Sequence, residues 1–440
     1  MRHIHHRKNI TLKRNLGFLA ATCCGVGVIV VAGIYVLIGA AAGVAGNSLW
    51  LSFLIAAIVA ALTGLSYAEL SSMFTKDSGE YDYVRHAVGN RLGFLAGYNI
   101  LLSGLISVPA VALGFAGYLS GLIGFNNLIL IAGLLIIFLS FVNIFGLKES
   151  VLLNAIFTAV ELFGLLIIIL MSIGHIGSVN YSEMPNGLFG VFNAASLIFF
   201  AFIGFESVVK LTEETKNPKK VIPKALLTSL AIATIFYILV AVAAISVVDW
   251  RILATSKAPL ADVASAIMGS GAGLFISLIA LAATGGTTLM ILLTTSRVLY
   301  GFGEELKKLK FLTKINARTK TPLIASLIVM VLSLSFLLFK EIDIIAELTN
   351  FTIFITFALV NLALIVLRYK VPKMKRQFKV PWTIGKFPVL PFLGLLTSLF
   401  MILNLKLVVI GLGLIVTLIG IGLGELFDVK ALRLIKKIVR

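Results

Sequence analysis

Runs of about 20 apolar residues recur along the whole chain, and they constrain its fold more than any other feature. That is the length an α-helix needs to cross the hydrocarbon core of a bilayer. Of the 440 residues, 59% are hydrophobic and 13% are charged, whereas soluble chains carry about a quarter charged residues. The alternating pattern of a membrane β-barrel does not occur. The sequence therefore predicts an all-α polytopic membrane protein.

The apolar runs predict twelve transmembrane helices. They are placed at residues 16–40, 49–72, 93–121, 127–146, 149–173, 188–211, 223–247, 270–301, 322–340, 344–368, 388–404 and 407–424. The last two spans are separated only by the short sequence "NLK".

Lysine and arginine are distributed unevenly between the two sides of this topology. With the N-terminus inside, the inside segments hold 33 of the 37 basic residues, and the outside loops hold four. This positive-inside pattern predicts a plasma-membrane protein whose N- and C-termini are both cytoplasmic. It also explains the net charge of +18 without a nucleic-acid partner. The loops "KKLKFLTK" and "RYKVPKMKRQFK" are expected to face anionic lipid headgroups.

Two spans carry interruptions that hydrocarbon does not tolerate unless they line a cavity or are buried in protein. The first span contains Gly25, Gly27 and Gly33, and the sixth contains Gly204 followed by the acidic Glu206. Spans 1–5 and 6–10 are therefore predicted to form two inverted repeats, whose interrupted helices point to a transporter's binding site. The alternative is that these glycines only allow close helix packing.

The chain divides into five predicted segments on this basis. They are the cytoplasmic tail 1–15, the first repeat 16–185, the inverted second repeat 186–368, a cytoplasmic loop with helices 11 and 12 at 369–425, and the C-terminal tail 426–440.

Several motifs resemble those of the amino acid–polyamine–organocation superfamily, and within it the cationic amino acid transporter branch. "GVGVIVVAGIYVLIG" is similar to the first-helix signature, and "GLSYAEL" followed by "SGEYDY" to the end of helix 2 and its loop. "FFAFIGFESVVKLTEETKNPKKVIPKA" matches the helix 6 signature closely, and "SRVLYGFGEE" with "ARTKTP" resembles the end of helix 8. The resemblance implies a LeuT- and APC-type fold with helices 1 and 6 discontinuous.

The resemblance also implies where an amino acid would bind. Its carboxylate would lie on the backbone around Ala32, Gly33 and Ile34, since free N–H groups at a helix start attract anions. Its ammonium would contact carbonyl groups in both breaks, and three phenylalanines beside Gly204 are candidates for a lid or pocket wall, with packing as the alternative. The carbonyl candidates are Ile29, Phe200, Ala201 and Ile203, and the aromatic candidates are Phe200, Phe202 and Phe205.

Glu161 stands at the helix 5 position where several relatives have a proton-linked lysine. Asn154, Thr158 and Glu161 are spaced i, i+4 and i+7, so they share one helix face, which lipid would penalise. A carboxyl group can also carry a proton. Glu161 and Glu206 are therefore the predicted proton-coupling residues. The alternatives are that sodium is the coupling ion, or that these acids have only a structural role.

The leading functional hypothesis is a proton-coupled secondary transporter of L-amino acids. No Walker, kinase or metalloenzyme motif occurs in the sequence, so we expect neither an enzyme nor a primary pump, no cofactor or metal, and no obligatory protein partner. The alternatives are an amino-acid exchanger or polyamine carrier, a sodium-coupled symporter, and a membrane receptor that binds without transporting.

Overall fold

The structure is a computed structural model that describes residues 16–30, 33–74, 79–145, 151–212, 214–316, 319 and 321–427. Its α-helices are α1 Phe18–Ile29, α2 Gly33–Ala45, α3 Leu49–Met73, α4 Glu80–Val88, α5 Asn90–Ile123, α6 Leu128–Phe145, α7 Val151–Met171, α8 Gly187–Ile198, α9 Pro218–Val247, α10 Trp250–Thr255, α11 Pro259–Met268, α12 Ser270–Glu305, α13 Leu323–Phe336, α14 Ile342–Lys370, α15 Val389–Leu403 and α16 Leu407–Leu426.

Shorter elements connect these helices. The 3₁₀ helices are Gly46–Ser48, Ile173–His175, Phe199–Phe202, Phe205–Leu211, Lys307–Thr313 and Leu337–Phe339. A small antiparallel hairpin pairs β1 Thr383–Ile384 with β2 Phe387–Pro388.

The helices have the length and surface of membrane spans. Nine helical stretches within the described ranges are long and apolar enough to cross a membrane, and helices occupy every one of the twelve predicted ranges. Large apolar side chains such as Leu134, Phe138 and Leu418 point outward and are more than half exposed. Such a surface is stable against lipid tails rather than water. The prediction of an all-α, multi-pass membrane protein is thereby confirmed.

The interior is organised around three pairs of long helices. The 34-residue α5 packs along both α12 and α14, and α3 packs along α9. Small residues allow these close approaches: a Cβ at Gly104 of α5 would clash with Thr295 Oγ1 of α12. Close helix contact through small residues is a typical way to pack spans in a bilayer.

Some elements were not predicted from hydropathy. The helices α4, α10 and α11 and the β1–β2 hairpin lie in segments read as loops. α4 carries Glu80 and Asp82 in its first turn and has a mixed polar and apolar sequence, which an apolar-run search does not detect. The seventh span also begins earlier than predicted, because Pro218 occupies the first turn of α9 after Asn217, where proline needs no N–H partner.

Candidate functional site

The first predicted break is a gap between two helices. α1 ends at Ile29, after which Val30 leaves helical geometry (φ −79°, ψ 69°), and α2 begins at Gly33. Gly33 and Ile34 are buried at the start of α2, and the predicted contact residue Ala32 lies outside the described residues. The last carbonyls of α1 and the first N–H groups of α2 have no partners within their own helices. The break therefore offers both acceptors and donors.

The second predicted break interrupts the sixth span with 3₁₀ geometry. α8 passes into Phe199–Phe202, Ile203 is extended (ψ 136°), and Gly204 has a φ of +115° before the next 3₁₀ helix. The Gly204 N–H donates to a carboxyl oxygen of Glu206 at 2.9 Å, and Glu206 is 6% exposed. Glu206 thus caps the broken backbone. Glu80 and Lys210 are the charged groups that interact with it electrostatically.

The two breaks touch each other through their glycines. A Cβ added at Gly33 would lie 2.5 Å from Ala201 Cα, and one added at Gly204 would lie 2.8 Å from the Val28 carbonyl oxygen. The glycine of each break therefore packs directly against backbone atoms of the other broken span. Real Cβ atoms essentially never come this close to their neighbours, so both positions require the absence of a side chain.

Tyr237 of α9 joins the two breaks by hydrogen bonds. Its hydroxyl lies 2.6 Å from the Ile29 carbonyl oxygen and 2.8 Å from the Ala201 carbonyl oxygen, and its side chain is fully buried. These are two of the four carbonyls predicted to receive an ammonium group. The sequence reasoning missed Tyr237. A tyrosine well inside an apolar span is a usable signal, because a buried tyrosine hydroxyl needs a partner.

Asn350 of α14 satisfies the end of α8 and was also missed. Its amide nitrogen donates to the carbonyls of Ser196 and Leu197 at 2.7 and 2.9 Å. Helix carbonyls lose their regular partners where a helix breaks, and a buried unpaired carbonyl is costly. Asn350 therefore supports the end of α8 from α14, and its own side-chain oxygen is buried without a hydrogen-bond partner among the described residues.

The predicted aromatic residues lie in the break but in different surroundings. The Phe202 ring packs edge-on against Tyr237 at 5.1 Å between centroids, and the Phe205 ring packs edge-on against Tyr67 at 5.9 Å. Phe200 is also buried, but its ring makes no such ring contact in the described part of the chain. The surroundings of Phe202 and Phe205 are those of packing residues.

The predicted polar face of α7 points into the bundle. Glu161 is 5% exposed, and a Cβ added at Gly27 of α1 would lie 2.7 Å from Thr158 Oγ1. The side chain of Asn154 lies outside the described residues. The structure therefore brings Thr158 against α1, with Glu161 one turn further along the same face.

Glu161 is connected to the start of α2 through a tyrosine. The Tyr35 hydroxyl donates to the Glu161 carbonyl oxygen at 3.0 Å, and the Tyr118 hydroxyl donates to the Tyr35 carbonyl oxygen at 3.1 Å. The Glu161 carboxyl interacts electrostatically with both Tyr35 and Tyr237. Within the described ranges, no ion pair includes Glu161. The Glu161 backbone is therefore tied to the start of α2 by Tyr35, and its carboxyl is within electrostatic range of Tyr35 and Tyr237.

Discontinuous helices that meet inside a helical membrane bundle are the architecture of secondary transporters. The chain belongs to the amino acid permease family, whose model matches residues 16–423. The sequence resemblance to amino acid permeases of the APC superfamily is thereby confirmed.

Three curated relatives illustrate the range of this family. The branched-chain amino acid permease BcaP of Bacillus subtilis (strain 168) is 31% identical over 96% of this chain and 94% of its own length. The methylthioribose transporter of the same organism is 30% identical over 88% of this chain and 87% of its own length. Cationic amino acid transporter 4 of Mus musculus is 29% identical over 82% of this chain and 60% of its own length. These similarities support amino acid transport across a membrane.

Proposed function

We propose that this protein is a secondary active transporter of L-amino acids that works by alternating access and is coupled to protons. The observation that carries the proposal is the joint between the two breaks, where Gly33 meets Ala201, Gly204 meets Val28 and one tyrosine hydroxyl bridges two broken-helix carbonyls. An amino acid brings one carboxylate and one ammonium, and the joint presents donors and acceptors for both.

The two ends of the substrate backbone would occupy different parts of the joint. The carboxylate would lie on the first N–H groups of α2, at Gly33 and Ile34, together with Ala32, because a helix N-terminus favours anions. The ammonium would lie on the carbonyls of Ile29 and Ala201, the pair that shares the single Tyr237 O–H. The carbonyls of Phe200 and Ile203 complete the proposed acceptors.

The transmembrane arrangement belongs to the same proposal. Twelve spans would form two inverted repeats of five helices, at 16–185 and 186–368, followed by 369–425. The tails 1–15 and 426–440 would lie in the cytoplasm of a plasma-membrane protein, as the distribution of basic residues predicts. Alternating access would then arise from rocking of helices around the fixed joint.

Proton coupling would use the two buried acids beside the joint. Glu161 lies near Tyr35 and Tyr237, and Glu206 caps Gly204. An ionisable residue inside a membrane span is costly and usually functional. Sodium held by Glu161 with nearby oxygens is the second candidate, and substrate exchange is the third.

Replacing Tyr237 with phenylalanine tests the bridge. Phenylalanine keeps the ring contacts with Phe53 and Phe202 but removes the single O–H that the Ile29 and Ala201 carbonyls share, so the spacing of these two acceptors is no longer fixed. We expect the KM for uptake to rise about tenfold, while the amount of folded protein falls little. Tyr369→Phe, at an exposed tyrosine of α14, is the matched control. If Tyr237→Phe left the KM unchanged, the Tyr237 bridge would not be part of the substrate-binding site.

Uptake into proteoliposomes tests the function itself. Purified protein should accumulate a labelled L-amino acid inside vesicles when an inward proton gradient is imposed, and competition by all twenty amino acids then identifies the side chains carried. Flux that needs an amino acid on the opposite side would show an exchanger. Saturable binding without any flux would show a receptor and contradict transport.

A further inference from the structure

The first turn of α4 carries a buried acid that the proposed transport cycle does not use. Glu80 begins α4 and is 4% exposed. Its Oε1 atom accepts a hydrogen bond from the Tyr67 hydroxyl of α3 at 3.1 Å. Within the described ranges, no lysine or arginine forms an ion pair with Glu80. A buried carboxylate without a cation beside it is costly, so Glu80 is a place where a proton can be held.

Tyr67 connects α4 to the second break. Its side chain is fully buried, and its ring packs edge-on against Tyr83 of α4 and against Phe205, with 6.3 and 5.9 Å between centroids. Phe205 immediately precedes Glu206 in the chain. The Tyr67 side chain interacts electrostatically with both Glu80 and Glu206. The Tyr67 hydroxyl therefore lies within range of one acid on α4 and one acid in the second break.

The two acids also act on each other. Glu206 interacts electrostatically with Glu80, which disfavours its charged form, and with Lys210, which favours it. Lys210 is exposed, so solvent screens its charge, whereas both carboxyl groups are buried. A second negative charge beside a first one is unfavourable in such an interior. One proton on the pair of carboxyl groups is therefore the favoured state.

Other charged groups close to α4 have partners of their own. Arg85 donates to Asn90, His86 Nδ1 lies 2.7 Å from the Asp82 carbonyl oxygen, Arg91 of α5 pairs with Glu425, and on α14 Arg368 pairs with Glu69 and Lys370 donates to the Ala87 carbonyl oxygen. The Lys370 contact lies at the opposite end of α4 from Glu80. Among the described residues, Tyr67 and Glu206 are therefore the titratable groups that face Glu80 from other elements.

We propose that Glu80 and Glu206 hold one proton between them, and that Glu80 passes it to water on the side of the membrane predicted to be the cytoplasm. In the transfer a Glu206 O–H bond breaks and a Glu80 O–H bond forms. The Tyr67 hydroxyl accepts one proton as it donates another, so it stays neutral. Water is close to Glu80, since Asp82 in the same turn is partly exposed. This step rests on the proposed proton-coupled transport and adds the route by which the proton leaves.

Uptake of a labelled L-amino acid into right-side-out membrane vesicles tests this route, because external and internal pH can be set separately. At a fixed low external pH, wild-type uptake should quicken as the internal pH is raised, since proton release becomes easier. Glu80→Gln keeps the size of the side chain and an acceptor for Tyr67, but it cannot carry a proton. Its maximal uptake rate should fall at least about tenfold and should no longer depend on internal pH, with an unchanged KM. Asp82→Asn, in the same helical turn, should behave like the wild type.

Tyr67→Phe is the second variant, because it keeps the ring but lacks the hydroxyl. It should show the same loss as Glu80→Gln, and the double variant should be no slower than either single variant, since both changes block one route. A folded Glu80→Gln or Tyr67→Phe that keeps the wild-type dependence on internal pH would overturn the proposal. Failure of both variants to fold would assign the Tyr67–Glu80 hydrogen bond to folding and would also overturn it. Wild-type uptake that ignores pH on both sides would instead count against the proposed proton coupling.

Discussion

Alanine in place of Gly33 or Gly204 is expected to abolish uptake while most of the protein still folds in the membrane. At Gly33 the new Cβ would lie 2.5 Å from Ala201 Cα, which is backbone and cannot turn aside. At Gly204 it would lie 2.8 Å from the Val28 carbonyl oxygen, at a φ of +115°, a backbone conformation that L-residues rarely adopt. Both changes push the two breaks apart, where the substrate is proposed to bind.

The measurement compares uptake per folded molecule, with the folded amount taken from size-exclusion chromatography. Gly286→Ala is the matched control, because a Cβ at Gly286 of α12 would meet nothing within 4 Å. We expect at least about a hundredfold loss for the two break variants, as misplacement of about 1 Å can cause elsewhere, and wild-type uptake for the control. Parallel losses of folded protein and uptake would assign both glycines to helix packing.

Replacing Glu161 with glutamine is expected to remove proton coupling. Glutamine keeps the size of the side chain but cannot take up or release a proton, while the Tyr35 hydrogen bond is retained because it goes to the Glu161 backbone carbonyl. Uptake by the wild type should rise when the external pH is lowered and should not require sodium. Glu161→Gln should lose this pH dependence together with at least about nine-tenths of its concentrative uptake.

Three comparisons complete the test of Glu161. Glu161→Lys places at the same position the amine that several relatives carry, and Glu304→Gln controls for loss of an exposed carboxyl that accepts from Tyr300. Wild-type uptake that depends on sodium and ignores pH would contradict proton coupling. If Glu161→Gln kept full proton coupling, Glu161 would not be the coupling residue, and Glu206 would remain the candidate.

Local features of the sequence predicted the spans and the breaks. Hydropathy alone predicts the helical spans. Gly33 and Gly204 stood out because glycine is unfavourable inside a helix. The acidic Glu206 stood out because an acid inside a span is costly, and it caps the break that it follows. Each of these signals is contained within a few neighbouring residues.

The partners of the breaks could not be predicted because they are distant in the chain. Tyr237 contacts a carbonyl 208 residues away, and Arg368 contacts a carboxylate 299 residues away. Hydropathy treats Arg368 as a loop charge, since nothing nearby shows that Glu69 is buried against it. A single sequence shows which polar groups need partners. How the helices pack decides which of these groups pair with one another.

Competition by substrate analogues tests the central claim, that the two breaks recognise both charged groups of an amino acid. Uptake of a labelled L-amino acid is measured against excess of the same amino acid, of its decarboxylated amine and of its deaminated acid. The account predicts strong inhibition by the intact amino acid and almost none by either analogue, because the amine leaves the N–H groups at the start of α2 without an anion and the acid leaves the broken-helix carbonyls without a cation. Inhibition by the amine or the acid as strong as that by the amino acid would contradict it.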